Sequence, residues 1–407
     1  MVTRRRLLQI AGVSAVGVLA ARLSIPRALR APIPRELEGE AAPFLEGLFA
    51  DLDRSKVWDM HSHLIGTGDG GSGCRVSDTL RSQLNPVERF RYDVYLAATG
   101  VKEDGDMDRT YVERVLDLQR LANPQGRMIL LALDEVVEPG GTVRPGVVPF
   151  YTPNDYVLAV AREHREFEPG VSIHPYRTDA VERLNSAHSK GARLVKWLPS
   201  VQHIDPSSPE CDAFYEGLAE LGIPLLSHAG EEVAMPGEQQ ALGNPLLLRR
   251  ALDAGVKVIM AHGASLGSNV DLDESEGRRT RKPSWELLLR LMKDPRYERQ
   301  LFADISAITQ FNRCGDPLRA FLCESDLHYR LVNGSDYPLP AIDPLISTWK
   351  LVHEGYLTSR ERMLCNAVYD ANPLLFDFAV KRCLKVEEGG RTHRFSPNIF
   401  ETSWLFS

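Results

Sequence analysis

Short apolar segments of strand length recur along the chain from Lys56 onward. Each is bounded by glycine, proline, aspartate or asparagine, and several are separated by segments with helical spacing of apolar residues, at 212–221, 246–254 and 284–292. None of the apolar segments alternates cleanly between apolar and polar residues. The pattern predicts eight strands, at residues 57–59, 128–133, 171–174, 192–197, 224–227, 257–261, 301–305 and 331–334.

Strands that are apolar on both faces belong to covered sheets, and their alternation with helices indicates a parallel arrangement. Eight such units predict the α/β class and a distorted (β/α)8 TIM barrel. A doubly wound open sheet is the alternative, but no GxGxxG turn follows any of these strands. Two segments depart from an ideal barrel: a long insertion between the first and second strands, 66–127, and a C-terminal tail, 381–407.

Both of these segments carry features of their own. The insertion begins with a glycine-rich loop, residues 66–73, for which we predict either a mobile lid over the barrel mouth or a flexible connection. Near the C-terminus, the aromatic residues Trp349, Phe400, Trp404 and Phe406 predict that the tail packs back onto the barrel.

The first 43 residues differ in composition from the rest of the chain. Residues 3–9 contain three consecutive arginines and precede the apolar segment 10–21, which is too short to span a bilayer comfortably. Residues 1–25 therefore predict a signal peptide resembling the twin-arginine export type, followed by a linker at 26–43, the barrel at 44–380 and the tail. The expected location is periplasmic or extracellular, or membrane-anchored if the signal is not cleaved.

Composition and charge narrow the classes of partner. The 407 residues are 43% hydrophobic and 25% charged, which is ordinary for a globular protein, and the net charge of -7 argues against nucleic-acid binding. The six cysteines are scattered without a CxxC pair, so we expect no cysteine metal site and no particular disulfide. A small-molecule substrate is the expected partner, without a stable membrane partner if the signal is cleaved, and a homo-oligomer is compatible with the sequence.

Polar side chains follow four of the predicted strands where each strand ends. His61 and His63 end the first strand and point to the same side, His228 and His262 end the fifth and sixth, and Asp336 follows the eighth. Because the carboxyl ends of barrel strands meet at one mouth, these side chains predict a metal site. Neutral imidazoles with one carboxylate suit zinc, although manganese and iron remain open.

These residues, within the sequences Asp59-Met60-His61-Ser62-His63 and Gly334-Ser335-Asp336-Tyr337-Pro338, resemble the amidohydrolase superfamily, specifically its amidohydrolase-related branch. The resemblance covers about residues 56–378. It implies a distorted (β/α)8 barrel that holds one or two divalent ions, with His61, His63, His228 and Asp336 as ligands.

The number of ions depends on two further residues. Lys196 ends the fourth strand, where two-metal members of the superfamily carry a lysine carbamate, so Lys196 is a conditional ligand if it is carboxylated. His262 is a ligand if two ions bind; in one-metal members the equivalent histidine steers or protonates the substrate. Trp197 and Leu198 replace the leucine and histidine that usually follow the lysine in this branch.

Four further residues are weaker candidates for the site, because a purely structural role explains each of them at least as well as a functional one. His174, Glu231 and Asp304 are candidates for the site or for its surroundings, and Arg177 is a candidate for binding a substrate carboxylate.

The predicted function is metal-dependent hydrolysis of an amide, lactone or ester bond in a small molecule, with Asp336 as general base and His262 as a second catalytic residue. The alternative is a metal-dependent decarboxylase of the same branch, which would need an anionic substrate and an arginine near the ion. A third interpretation is a non-catalytic binding protein with the same fold. The sequence does not specify the substrate.

Overall fold

Eight parallel strands form a single sheet in the computed structural model, which describes residues 29–103 and 105–406. The strands are β1 Trp58–His63, β2 Arg127–Leu131, β3 Phe167–Val171, β4 Leu194–Trp197, β5 Leu225–His228, β6 Val258–Ala261, β7 Leu301–Asp304 and β8 Leu331–Val332. The sheet closes where the backbone N–H of His63 donates to Tyr337 O at 2.8 Å and that of Asp336 donates to His61 O at 2.7 Å. The predicted (β/α)8 barrel is therefore confirmed.

Helices surround the barrel, and two of the three predicted helices have the predicted bounds. They are α1 Ala41–Phe49, α2 Asp78–Arg81, α3 Pro86–Thr99, α4 Met107–Ala122, α5 Asn154–Glu163, α6 Ala180–Ser189, α7 Pro199–Gln202, α8 Asp212–Leu221, α9 Arg249–Asp253, α10 Ser284–Met292, α11 Asp316–Cys323, α12 Thr348–His353, α13 Ser359–Tyr369 and α14 Pro373–Cys383. The helix predicted at 246–254 is instead a 3-10 segment, Pro245–Leu248, followed by α9.

The third barrel strand was predicted at 171–174 and instead occupies Phe167–Val171. Its residues Pro169 and Gly170 are typical of turns, which explains the error. Gly170 is needed in the sheet because a Cβ at this position would come within 2.6 Å of Leu131 Cδ2 on β2. Glu168 is buried between strands, where it pairs with Arg127 and, at 2.7 Å, with Arg193.

The glycine-rich loop at the start of the insertion is held in place by two aspartates. Asp108 on α4 accepts hydrogen bonds from the backbone N–H groups of Thr67, Gly68 and Gly70 at 2.8 to 3.1 Å. In return, Asp69 accepts from the N–H of Met107 at 2.8 Å, at the start of α4. The loop is therefore a hydrogen-bonded connection, and it does not line the metal-site cavity described below.

The C-terminal tail closes the end of the barrel opposite the mouth. Leu405 joins the apolar cluster that fills the barrel interior, and Phe406 stacks on Trp58 with ring centroids 5.5 Å apart. Phe400 is buried against Phe378. Trp349 does not take part, because it lies on α12 with 64% of its surface exposed.

Replacement of Leu405 by alanine is expected to lower the free energy of unfolding by roughly 2–5 kcal/mol, because it leaves a cavity at the end of a packed barrel. Urea denaturation of the full chain measures the change. The matched control is the exposed Trp349→Ala, which we expect to change the free energy by no more than about 0.5 kcal/mol. Equal effects of the two substitutions would show that the tail does not stabilise the barrel.

The described residues before the barrel lie against it. The N–H of Ala31 donates to Ala97 O and that of Arg35 to Ala371 O, both at 3.1 Å. The predicted signal peptide, residues 1–25, lies outside the described residues, so export stays a prediction. Within the described ranges, no helix has the length and apolar character that crossing a membrane requires. All six cysteines are free thiols.

Candidate metal centre

The side chains predicted from the strand ends converge at the mouth of the barrel. Asp59 Oδ1 accepts the backbone N–H of His61 at 3.0 Å and that of Ser335 at 2.8 Å, so it ties β1 to the segment that follows β8. His61 Nε2 and His63 Nε2 then lie 3.5 and 3.1 Å from Asp336 Oδ1. These three residues form one group whose ligand atoms all lie within 4.8 Å of one another.

A second group of the same kind consists of His61, His262 and Asp304. Asp304, at the end of β7, accepts a hydrogen bond from His61 Nδ1 at 2.9 Å and one from the backbone N–H of His262, also at 2.9 Å. Burial alone would raise the pKa of Asp304, but the hydrogen bonds from His61 and Ser306 hold it well below its ordinary value. The carboxylate is therefore anionic and fixes the proton of His61 on Nδ1, which leaves Nε2 free to bind a metal.

We expect Asp304→Asn to weaken metal binding by about 10–100-fold, as loss of a carboxylate behind a metal-binding histidine does. The amide can donate to Nδ1, which would move the imidazole proton to Nε2 and block the ligand atom. Zinc affinity measured by competition with a chromogenic chelator tests this. The exposed Asp326→Asn is the control, and affinity unchanged in both variants would refute the role of Asp304.

The electrostatics and the unsatisfied donors of the centre fit a divalent ion. His228 is buried, and neither of its ring nitrogens has a hydrogen-bond partner within the described chain; Glu232 Oε2 lies 3.1 Å from Nε2 without hydrogen-bond alignment. Burial lowers the pKa of His61, and holds those of His228 and His262 well below the ordinary value. Neutral imidazoles with an unused nitrogen are what metal ligation requires.

Lys196 reaches the same centre from β4. Its side chain is 1% exposed, and Nζ lies 3.1 Å from His61 Nε2. Burial lowers the pKa of Lys196 to about 8, which favours the neutral amine that carbamate formation needs. This environment is compatible with the conditional ligand role, and carboxylation stays a prediction.

His262 lies between the other histidines. Its ring stacks on His61 with centroids 4.9 Å apart, its edge faces His228 at 5.2 Å, and its Nδ1 lies 2.7 Å from Ser306 Oγ. His262 and Asp336 both have positive φ, 58° and 61°, which is uncommon for non-glycine residues and concentrates at functional sites. The position of His262 suits ligation or contact with substrate, so both roles stay open.

A cavity of about 90 Å³ lies directly over these side chains. Polar groups line its floor, and apolar residues from the surrounding loops, including Leu133, Phe150 and Met235, line its walls. A larger apolar groove of about 230 Å³ adjoins it and shares Tyr95 and Leu339 as lining residues. Because Tyr95 belongs to α3, the insertion supplies part of the wall of the site.

Two charged residues that line the cavity were missed by the sequence interpretation, Glu232 and Arg313. Both are buried on loops that follow strands, at positions that no strand-end rule singles out. The only signal for Glu232 is its spacing of four residues from His228; the sequence interpretation proposed its neighbour Glu231, which does not line the cavity. Arg313 comes nine residues after Asp304 and has no motif around it.

The other weak candidates lie outside the cavity. His174 Nε2 donates to Gln202 O at 2.9 Å, and its Nδ1 accepts the backbone N–H of Tyr176 at 3.2 Å. Arg177 forms a bidentate ion pair with Asp134 at 2.6 and 2.7 Å, so its guanidinium is already used. Both side chains are engaged by the protein and neither lines the metal-site cavity, so the carboxylate-binding role of Arg177 stays a prediction.

Several solved structures are similar to the chain. A probable 2-pyrone-4,6-dicarboxylic acid hydrolase from Acinetobacter baumannii is 14% identical, with 76% of this chain and 95% of that chain covered and a TM-score of 0.41. A putative one from Pseudomonas putida is 17% identical, with 79% and 97% covered and a TM-score of 0.43. The 5-carboxyvanillate decarboxylase from Sphingomonas paucimobilis is 11% identical, with 73% and 98% covered and a TM-score of 0.42.

Comparison with curated protein sequences gives no match. The sequence model of the amidohydrolase family, by contrast, matches residues 59–360, which include every residue of the candidate centre. With the barrel, the two groups of metal-ligating side chains and this match, the chain belongs to the amidohydrolase family.

Proposed function

We propose that the protein is a metal-dependent hydrolase that cleaves an amide, ester or lactone bond of a small molecule. The observation that carries the proposal is the position of Asp336, whose carboxylate lies within 3.5 Å of Nε2 of both His61 and His63 on the floor of the cavity. Burial raises the pKa of Asp336, but the hydrogen bond with His63 outweighs it and lowers the pKa to about 2. Asp336 is therefore an anion at neutral pH.

His61, His63, His228 and Asp336 would hold a divalent ion, with Lys196 or His262 added if two ions bind. An ion of this kind lowers the pKa of water and polarises a carbonyl, and zinc suits a donor set dominated by imidazole. Asp336 accepts the proton of the attacking water at its carboxylate and returns it to the leaving group. His262 lines the cavity beside this carboxylate, where it contacts the substrate if it is not a ligand.

Arg313 gives one specific reason to retain a decarboxylase as the second candidate. A decarboxylase needs a cation that holds the carboxylate of its substrate near the metal, and Arg313 is buried in the wall of this cavity. The hydrolase is favoured because Asp336 is anionic and close to the histidines, as a general base for water must be.

Removal of metal tests the proposal. The full chain, treated with a chelator and then dialysed, should lose hydrolysis of a panel of aryl esters, anilides and lactones, and zinc or manganese should restore it. The reason is that the imidazoles and Asp336 alone cannot activate water sufficiently at neutral pH. Full activity of the demonstrably metal-free chain would contradict the proposal.

A further inference from the structure

Arg313 is a buried cation that forms no ion pair with any carboxylate in the described ranges. Its side chain belongs to a residue that is 6% exposed, and it lines the metal-site cavity. Nη1 donates to Ser265 Oγ at 3.2 Å, and Nε has no hydrogen-bond partner. Within the described residues, the guanidinium forms no ion pair with a carboxylate.

This arrangement is unusual because a buried charge normally needs a partner. Loss of hydration destabilises a guanidinium unless a counter-ion and hydrogen bonds compensate for it. Two further buried arginines among the described residues, Arg114 and Arg330, also form no ion pair, but each donates to a backbone carbonyl, that of Pro32 and that of Met292. Arg313 differs from both because it lines the metal-site cavity, where a ligand can reach it.

Glu232 is the acidic residue of the cavity wall that could pair with Arg313, but its carboxylate already contacts other groups. Glu232 Oε1 accepts the backbone N–H of Met235 at 2.8 Å, and its Oε2 lies against His228. The charge of Arg313 is thus left for a ligand in the cavity.

The shape and chemistry of the cavity restrict that ligand. A guanidinium presents a planar set of donors that matches a carboxylate in a bidentate contact. The rest of the wall is apolar, with Leu133, Phe150, Leu198 and Met235 as examples, and the adjoining groove is apolar as well. A ligand that satisfies both parts has one carboxylate on a mainly apolar body.

We propose that Arg313 binds a carboxylate group of the substrate, and that the substrate class consists of carboxylates with an aromatic or other apolar body. The inference rests on the proposed function, because it places the scissile bond of that substrate over His61, His63 and Asp336. Arg313 is then a specificity-determining residue, and its contact with the carboxylate sets the orientation of the apolar body in the cavity.

Equilibrium binding to the metal-loaded full chain tests the inference with a matched pair of probes, 4-acetylbenzoate and 4-nitroacetophenone. They have nearly the same shape, differ in charge, and contain no amide, ester or lactone bond that the proposed hydrolase could cleave. By isothermal titration calorimetry, the wild-type protein should bind the carboxylate about 10-fold or more tightly than the nitro compound, as expected for a charge-assisted hydrogen-bonded pair. In Arg313→Met this preference should disappear, and Arg313→Lys should retain part of it.

The control is Arg330→Met. Arg330 is also buried with unpartnered nitrogens, but it precedes β8 at the end of the barrel opposite the mouth. This variant should bind both probes as the wild-type protein does, and thermal denaturation shows whether each variant is folded. Arg313→Lys keeps the test decisive if Arg313→Met does not fold.

Three results would overturn the inference: no binding of the carboxylate, equal binding of the two probes by the wild-type protein, or an unchanged preference in Arg313→Met. The last would mean that the metal or another group holds the carboxylate. The proposed function is tested separately: if it is wrong, the metal-loaded chain does not hydrolyse the substrate panel, whichever of the two probes it binds.

Discussion

Asp336→Asn is expected to lower kcat by about 10²–10⁴-fold, the loss that removal of a general base causes. The amide cannot accept the proton of the attacking water, although it keeps the size of the carboxylate. It also removes the anion that contacts His63 Nε2 at 3.1 Å. Steady-state kinetics on the best ester, anilide or lactone of the panel measures the change.

Metal content must be measured on the same Asp336→Asn sample, because the carboxylate is also a proposed ligand. If metal is retained and kcat falls, the base role accounts for the loss. The exposed Asp117→Asn on α4 is the control and should have wild-type kinetics. Wild-type turnover by Asp336→Asn would refute both proposed roles of this residue.

His61→Asn is expected to weaken metal binding by more than about 100-fold, beyond the effect of losing a supporting carboxylate. His61 belongs to both groups of ligand atoms, is completely buried, and has its Nδ1 proton fixed by Asp304. In the part of the chain that the structure describes, no other residue belongs to both groups. Inductively coupled plasma mass spectrometry of the purified chain, after exposure to zinc and gel filtration, measures bound metal.

The exposed His188→Asn on α6 is the control for His61→Asn and should retain the wild-type metal content. The comparison separates a specific site from zinc bound by surface histidines. A wild-type stoichiometry in His61→Asn would mean that the ion, if one binds, lies elsewhere than at this centre.

The sequence predicts most of this centre because the rule for barrels is geometric. Residues at the carboxyl ends of parallel strands meet at one mouth of the barrel. Placing His61, His228 and Asp336 at strand ends therefore predicts that they lie close together. Period-two geometry adds His63. Asp304 was recognised from its strand, but its hydrogen bond to His61 depends on a contact 243 residues apart in sequence, which no local pattern contains.

The sequence does not reveal residues whose position depends on loop conformation. Arg313 reaches the cavity from a loop, and its significance comes from its burial there without an ion pair to any described carboxylate, which is a property of the folded chain. The same limit applies to the glycine-rich loop at 66–73. Its composition indicates flexibility, whereas Asp69 and Asp108 fix it through hydrogen bonds to the backbone.

The third strand shows a related limit. Local propensity places a turn at Pro169 and Gly170, yet tertiary packing selects a strand because the space beside Leu131 accepts no Cβ. By contrast, α8 and α10 were predicted with the observed bounds because their apolar residues follow a helical period and bury one face.

Isotopic labelling of the product is the most direct test of the central claim, that the protein is a metal-dependent hydrolase. The metal-loaded full chain is supplied with the carboxylate-bearing ester, amide or lactone that it turns over fastest, in water that contains the heavy isotope of oxygen. Mass spectrometry should then find one heavy oxygen atom in the acid product for each bond cleaved, and no labelling with the metal-free chain. A product that has lost carbon dioxide and carries no heavy oxygen would contradict the hydrolase and establish the decarboxylase.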